Sequence, residues 1–231
     1  MHNICKEQGQ FLLDSVSLSA NRNNIIGLIG NNGAGKTTFI KIIARLISID
    51  SGEINLPAQD KIAVVFDHSP FPSKLTINEL EKVLSRLFLA WQTDRFFSYI
   101  EYFDLPLDVS INNFSKGMSM KLNISVALSH QAQVLLLDEP TSGLDPVVRI
   151  EILDIIKSYV KENEAVAVIS THILDDIEKI ATSVIVMHEG KFVFKQEAEE
   201  IPDMDYLEKK IEDIMKNKEK FDDRAFSERF I

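Results

Sequence analysis

Short continuous hydrophobic runs alternate with stretches of helical periodicity along much of the chain. Runs of this length are typical of strands that are buried on both faces of a parallel sheet. They predict strands at Ile25–Gly30, Ile62–Phe66, Val134–Leu137 and Ala165–Ser170. Helical patterns follow them, beginning near Lys36, Pro146 and Ile173. This alternation predicts an α/β domain with right-handed crossover connections.

Residues 75–130 depart from the alternation. Apolar residues there recur at helical spacing instead of in runs: Val83, Leu84, Leu87, Phe88, Trp91, Phe96, Phe97, Ile100 and Phe103. This periodicity predicts a helical lobe inserted into the sheet domain. Because the lobe is rich in aromatic residues, we expect most of them in its core and a few in a groove beside residues 67–72.

The last part of the chain adds a hairpin and a tail. Two apolar segments around Glu189-Gly190-Lys191 predict a β-hairpin between Thr182 and Phe194. Residues 199–231 are rich in charges of both signs and predict a helical tail on the surface. A narrow apolar stripe marks that tail at Leu207, Ile211, Ile214 and Met215.

The composition bounds the domain organisation and the location of the protein. The chain has 231 residues, 45% of them hydrophobic, which is enough to bury a substantial core. We expect one domain over residues 1–231, with a core formed by residues 1–74 and 131–198. The longest purely apolar runs are far too short to cross a bilayer, and the first residues do not lead into a signal-like region. These features predict a cytoplasmic protein with no direct membrane insertion.

The balance of charge argues against two kinds of partner. The chain carries 35 acidic and 25 basic residues, a formal net charge of −10. An acidic surface repels the phosphates of nucleic acids and the headgroups of anionic lipids. We therefore expect no nucleic-acid partner, and we expect any attachment to the inner face of a membrane to run through another protein.

One segment has the composition of a phosphate-binding loop. Residues 30–37 read Gly-Asn-Asn-Gly-Ala-Gly-Lys-Thr, which fits GxxxxGK[ST] between a predicted strand and a predicted helix. The glycines let successive backbone N–H groups point at phosphate oxygens, and the helix adds its positive N-terminal end. Lys36 is predicted to reach the β- and γ-phosphates of ATP and Thr37 to hold Mg²⁺. The predicted nucleotide-binding residues are Asn31, Asn32, Gly33, Ala34, Gly35, Lys36, Thr37 and Thr38.

A second segment supplies carboxylates. The run Val134–Leu137 ends in Asp138 and Glu139, which puts both carboxylates at the edge of the sheet where ligands of such folds bind. Asp138 is predicted to bind Mg²⁺, and Glu139 is predicted to orient or deprotonate the water that attacks the γ-phosphate.

With these two motifs, the sequence resembles the ABC (ATP-binding cassette) ATPase family over nearly its whole length. Phe114-Ser115-Lys116-Gly117-Met118 looks like the family's LSGGQ signature, just before a predicted helix. Pro140–Asp145 looks like the segment that runs into the D-loop, and Thr171-His172 looks like the switch histidine. The resemblance implies a P-loop NTPase with a mainly parallel core sheet, an antiparallel β portion and an inserted helical lobe.

The resemblance also implies an assembly. Two such domains would form a head-to-tail dimer that sandwiches two ATP molecules, and either two copies of this chain or this chain with a different ATPase fit that arrangement. Ser115 and the backbone of Gly117 would bind the γ-phosphate held by the partner's phosphate loop. His172 would act beside Lys36 and Glu139 in catalysis, and Asp145 would lie at the dimer seam.

The sequence departs from the family pattern at several positions. The signature has Lys116 and Met118 where the pattern has glycine and glutamine. Asp67 replaces the glutamine of the Q-loop, and we expect its carboxylate to bind Mg²⁺ directly or through water. The aromatic residue that stacks on adenine should fall near Glu7 or Gln8, and neither is aromatic. Phe11 is the available substitute, and we expect GTP to bind nearly as well as ATP.

Three classes of function are open to a cassette of this kind. It can drive an exporter through a separate membrane subunit, act as a soluble ATPase on ribosomes or DNA, or bind nucleotide as a regulatory relative with little turnover. The chain has one cassette, no long coiled-coil insertion and an acidic balance, and it keeps Lys36, Glu139 and His172. We therefore expect the ATPase of a bacterial exporter. Residues 91–121 and 141–149 resemble a group that exports antimicrobial or toxin peptides, including the phenol-soluble modulin exporters of staphylococci.

Overall fold

The computed structural model describes residues 1–216, so the predicted tail from 217 to 231 lies outside the described residues. The strands are β1 (His2–Gln8), β2 (Phe11–Val16), β3 (Ile25–Ile29), β4 (Ser51–Glu53), β5 (Ile62–Val65), β6 (Val134–Asp138), β7 (Val166–Thr171), β8 (Ser183–His188) and β9 (Lys191–Glu197). The α-helices are α1 (Lys36–Ile43), α2 (Ile77–Leu87), α3 (Thr93–Tyr102), α4 (Lys116–Leu128), α5 (Pro146–Glu162), α6 (Leu174–Ile180) and α7 (Met204–Lys216). Short 3-10 helices occupy Gln59–Lys61, Ile111–Asn113 and Ala198–Glu200.

A six-stranded sheet forms the centre of the molecule, in the order β5-β6-β7-β3-β8-β9. All pairs are parallel except β8 with β9, which form the predicted hairpin. The four apolar runs are confirmed as β3, β5, β6 and β7, each within one residue of its predicted ends. All five residues of β3 are buried, as expected for a central strand covered on both faces. Because β3, β6 and β7 are parallel and adjacent, the segments that follow them meet at one edge.

A second, antiparallel sheet covers part of the core in the order β2-β1-β4. Ile4 and Leu13 are fully buried from this sheet and pack in one cluster with Phe39 and Ile40 of α1. The sheet is tied to the β8–β9 hairpin by a hydrogen bond from the Asp14 N–H to the Gly190 carbonyl, 3.0 Å long.

The helical lobe predicted for residues 75–130 contains α2, α3 and α4. Thr76 and Glu79 form a capping box that fixes the start of α2. Phe96 from the lobe is fully buried in the same cluster as Leu135 and Leu137 of the central sheet. The lobe is therefore packed against the sheet through a continuous apolar core.

The lobe's aromatic residues differ in solvent exposure, and most of them pack in or against the core, as expected. Three are buried: Phe96, Tyr99 and Phe103. Three are half-buried against the core: Phe88, Trp91 and Phe97. Only Tyr102 among these seven described residues is more than half exposed, at 53%.

Helix α7 packs against α6 and against an apolar cluster that includes residues of β8. Leu207 and Ile214 of the predicted stripe are buried, and Ile211 packs beside them against Val184 and Val186. The fourth predicted member, Met215, lies outside the residues whose side chains are described.

Candidate nucleotide site

The predicted phosphate loop connects β3 to α1. Gly33 and Gly35 have φ angles of 83° and 111°, which residues with a Cβ rarely adopt. Among residues 1–216, no side chain caps the N-terminus of α1, so its first N–H groups are available to a bound anion. Asn31, Asn32 and Gly33 are exposed, and Ala34 is buried. Thr37 and Thr38 lie in the first turn of the helix.

Lys36 is folded into this loop. Its ammonium donates to the Gly30 carbonyl at 2.6 Å and to the Asn31 carbonyl at 3.4 Å, and the residue is only 7% exposed. The same nitrogen lies 3.8 Å from Oε1 of Glu139. The lysine therefore stands between the phosphate loop and the candidate catalytic carboxylate.

Asp138 ends β6 and is held by two hydroxyl groups. Thr37 Oγ1 donates to Oδ2 of Asp138 at 2.7 Å, and Ser170 Oγ donates to Oδ1 at 2.5 Å. Asp138 is 7% exposed. The contact between Thr37 and Asp138 joins the two motifs that the sequence predicts as Mg²⁺ ligands.

Ser170 is a site residue that the sequence reasoning missed. Besides donating to Asp138, its hydroxyl accepts the backbone N–H of Glu139 at 3.1 Å. Glu139 has a φ of 52°, an uncommon conformation for a residue with a side chain, and the Ser170 contacts hold it there. The only signal in the sequence was a polar residue at the end of an otherwise apolar run, two positions before His172.

His172 follows β7 and reaches Glu139. Its Nδ1 lies 2.8 Å from Oε2 of Glu139, while 59% of the histidine side chain is exposed. The structure thus brings together the three residues predicted to act in catalysis: Lys36, Glu139 and His172.

Asp67 lies on the rim of the same site. It lines a cavity of about 620 Å³ together with Thr37, Asp138 and Glu139. Its carboxylate is exposed and pairs with His68, with Oδ1 and Nδ1 2.9 Å apart. Within residues 1–216, no three acidic, histidine or cysteine side chains are close enough together to hold a metal ion by themselves.

The signature residues form a separate surface. Ser115 caps α4 by accepting the Met118 N–H at 3.2 Å, and it is exposed. A second cavity, of about 250 Å³, is lined by Ser115, Lys116, Gly117 and Asp145 among others. The structure therefore groups Ser115, Gly117 and Asp145 with one another and apart from the phosphate loop.

Phe11 lies against the phosphate loop. It pairs with Gln8 across the β1–β2 hairpin and is half-buried. A Cβ on Gly35 would stand 2.4 Å from Cζ of Phe11, so the ring and the loop are in contact, and the φ of 111° would strain any other residue at this position. The available aromatic substitute is thus beside the nucleotide site.

The parallel core sheet, the antiparallel sheet, the helical lobe and this loop geometry define an ATPase of the ABC type. The family model described as "ABC transporter" matches residues 13–142. The chain is similar to the bacitracin transport ATP-binding protein BcrA of Bacillus licheniformis, 32% identical over 210 residues, which are 86% of this chain and 67% of BcrA. It is also similar to the lantibiotic transport ATP-binding protein SrtF of Streptococcus pyogenes, 31% identical over 215 residues, or 85% of this chain and 90% of SrtF.

Solved structures agree in fold. An ATP-binding subunit of an ABC transporter superposes with a TM-score of 0.82 at 23% identity, over 91% of this chain and 98% of that one. The post-hydrolysis dimer of the ATP-binding cassette MJ0796 with ADP and Pi gives a TM-score of 0.74 at 21% identity, over 85% and 97%.

The chain therefore belongs to the ABC transporter family. It is an ATP-binding subunit of the exporter type that hydrolyses ATP to drive transport, as the sequence predicted. Cassettes of this family dimerise and pair with membrane subunits. No helix within residues 1–216 is both long enough and apolar enough to span a bilayer.

Proposed function

We propose that this subunit powers the export of an amphipathic or antimicrobial peptide through a separate membrane subunit, bound at the cytoplasmic face of the membrane. The names of BcrA and SrtF, which refer to bacitracin and lantibiotic transport, support a peptide cargo. The narrower form of the proposal is a helical toxin peptide of the phenol-soluble modulin kind. The observation that carries the proposal is a cavity that joins the nucleotide site to an apolar surface.

That cavity of about 620 Å³ has two chemically different ends. Thr37, Asp138 and Glu139 line one end, and Leu46 and Phe66 belong to the other. Leu46 is 58% exposed and lies beyond the C-terminal end of α1, whose N-terminal end holds the phosphate loop. We propose that this apolar end, with Ile47, receives a short helix of the membrane subunit. The lobe aromatics predicted for such a groove, all of them described, do not line this cavity.

The proposed chemistry uses residues already in contact. Lys36 and the N–H groups of α1 would hold the β- and γ-phosphates, Glu139 would orient the attacking water, and His172 would fix Glu139. The neighbouring hydroxyl of Thr37 and carboxylate of Asp138 suit Mg²⁺, which prefers oxygen ligands and completes its shell with phosphate oxygens and water. Bound there, Mg²⁺ would neutralise phosphate charge, with Asp67 near enough to act through water.

The site would be completed by a second subunit. Ser115 and Gly117 stand at the N-terminus of α4, a position that favours anions, beside Asp145. Lys116 adds a positive charge where the family pattern has glycine. We propose that these groups bind the γ-phosphate held by the partner's phosphate loop, and that closure of this dimer drives the membrane subunit.

Phe11 is the proposed base platform. Its ring touches the phosphate loop at Gly35, and a flat ring stacks on either purine, so we expect ATP and GTP to bind within a few-fold of each other. Phe11→Ala should weaken both nucleotides equally.

The export proposal can be tested in cells that lack this protein. Wild type should restore tolerance to, or secretion of, an amphipathic peptide, and Glu139→Gln should not. Leu46→Asp should lose export while the purified variant keeps its ATPase activity, because Leu46 lies beyond the far end of α1 from the phosphate loop. A matched change at an exposed residue elsewhere, Ile150→Asp, serves as the control. Unchanged export of all peptides in cells without the protein would refute a peptide cargo.

A further inference from the structure

A buried carboxylate lies behind the catalytic residues and has no role in the proposed ATPase chemistry. Asp176, on α6, is 1% exposed. Its Oδ2 accepts the hydroxyl of Thr141 at 2.5 Å, and its Oδ1 accepts Arg149 Nη2 at 2.6 Å. Burying a carboxylate costs free energy unless it is paired and hydrogen-bonded. Both oxygens of Asp176 meet that condition.

The three residues of this cluster come from three different segments. Thr141 is 1% exposed and lies two residues after Glu139, on the segment that leads to Asp145. Arg149 is on α5, whose N-terminus is capped by Asp145 through hydrogen bonds of 3.1 Å to two backbone N–H groups. Asp176 follows His172 by four residues.

This arrangement links the segments that carry Glu139 and His172 to each other through the carboxylate of Asp176. Residues 140–145 are also anchored elsewhere, because Leu144 packs against the core and Asp145 caps α5, but Thr141 is the residue of this segment whose side chain bonds to α6. Lys36 and Thr37, in contrast, direct their side-chain hydrogen bonds to the Gly30 and Asn31 carbonyls and to Asp138.

We propose that Asp176, held by Arg149, is a positioning residue that fixes residues 139–145 relative to His172. It would keep Glu139 aligned with the histidine and, through Thr141, keep Asp145 in place at the surface that meets the partner subunit. Its loss should therefore lower the turnover number and leave ATP affinity nearly unchanged, because Lys36 and Thr37 are held by other partners.

Thr141 offers a matched pair of variants for the test. Thr141→Val keeps the shape and removes the hydroxyl, whereas Thr141→Ser keeps the hydroxyl and removes the methyl group. We expect Thr141→Val to lower kcat about tenfold with KM changed less than about twofold, and Thr141→Ser to stay near wild type. Asp176→Asn should act in the same direction, and its effect should not add to that of Thr141→Val, because both changes break one contact.

Hydrogen exchange, measured on the isolated full chain, gives a readout that does not require ATP turnover. In Thr141→Val, amides of residues 141–145 and 172–176 should exchange faster, and those of residues 30–37 should not. Equal exchange and equal kcat for the valine and serine variants would overturn the proposal. So would a Thr141→Val variant whose KM rises while its kcat is kept. A general loss of folding would instead raise exchange throughout the chain, which would also count against a positioning role.

Discussion

The nucleotide site has two halves: a phosphate-loop half, with Lys36, Thr37, Asp138 and Glu139, and a signature half, with Ser115, Gly117 and Asp145. They differ in how many of their polar groups already have a partner within one subunit. In the first, Lys36, Thr37 and Glu139 each have a partner within the chain, and Asp138 is 7% exposed. In the second, Ser115 is exposed and its side chain caps its own helix. Both halves end at a helix N-terminus suited to an anion.

The difference shows what each half needs from its surroundings. Polar groups that are buried must find partners within the fold, and the phosphate-loop residues have done so. Polar groups at the exposed signature surface are satisfied by water and can exchange it for a phosphate brought by another subunit. A single chain thus builds the catalytic centre and presents the complement for a second one.

The largest effect is expected from a variant that disables the phosphate-loop half alone. Glu139→Gln keeps the shape of the side chain and its reach to His172 but removes the carboxylate that orients water. We expect turnover to fall by about a hundredfold or more, with ATP binding retained and an ATP-dependent dimer accumulating. Phosphate release and size-exclusion chromatography in Mg-ATP would measure this. Near-normal turnover would remove Glu139 from the catalytic role.

The signature half can be broken by charge without steric damage. A Cβ at Gly117 would meet Val148 at 3.5 Å, an ordinary contact, so Gly117→Asp should fold. Its carboxylate would repel the phosphates, and we expect turnover to fall at least about tenfold, with Gly117→Asn as the uncharged control.

Mixing two variants, each defective in one half, tests whether the two halves of a site come from different subunits. Lys36→Ala should lose nucleotide binding in its own phosphate loop but keep an intact signature. Mixed with Gly117→Asp, it should recover turnover, because one of the two shared sites then has two intact halves. If the mixture stays inactive while each variant still dimerises with wild type, the two halves do not come from different subunits.

A smaller effect is expected on stability without nucleotide. Ser170→Ala removes a hydrogen bond to the buried carboxylate of Asp138 and should cost about 2 kcal/mol. Ser115→Ala removes only a helix cap and should cost about 1 kcal/mol. Urea unfolding of both variants would compare them, and a larger loss for Ser115→Ala would contradict the view that the phosphate-loop half is the one built into the fold.

The smallest expected effect is a pH dependence of stability that comes from His130, in the segment between the two halves. His130 lies between α4, which carries the signature, and β6, which carries Asp138, and its ring stacks on Phe88 at 5.0 Å. Burial lowers the pKa of His130, chiefly because the charged form loses its hydration. As the pH falls, His130 is therefore protonated in the unfolded chain before it is protonated in the folded one, which favours unfolding. The neutral, buried His130 is compatible with full stability above about pH 6.5, and the free energy of unfolding decreases at lower pH.

This pH dependence can be isolated with a variant that keeps the stack. Between pH 7.5 and 5.5, the urea midpoint of wild type should fall more than that of His130→Phe. Parallel pH dependence in the two proteins would show that His130 does not titrate on unfolding in this range.

Much of the fold and of the catalytic half follows from local sequence. The four apolar runs predict β3, β5, β6 and β7 because buried parallel strands need continuous apolar residues. The glycines predict the phosphate loop because they let backbone N–H groups surround a phosphate, and Lys36 and Thr37 add the side-chain ammonium and hydroxyl that the motif requires. Parallel strands end at one edge, so the order of the motifs already implies that Asp138 and the phosphate loop are neighbours.

Contacts between distant segments were decided only by the tertiary structure. Ser170 and Asp176 carry no motif, and their roles appear because β7 lies beside β6 and α6 packs against α5. The contact of Phe11 with Gly35 likewise depends on the register of a hairpin, which the pattern of residues does not encode. Composition and periodicity determine what each segment becomes, whereas the packing of those segments determines which polar groups share a buried space.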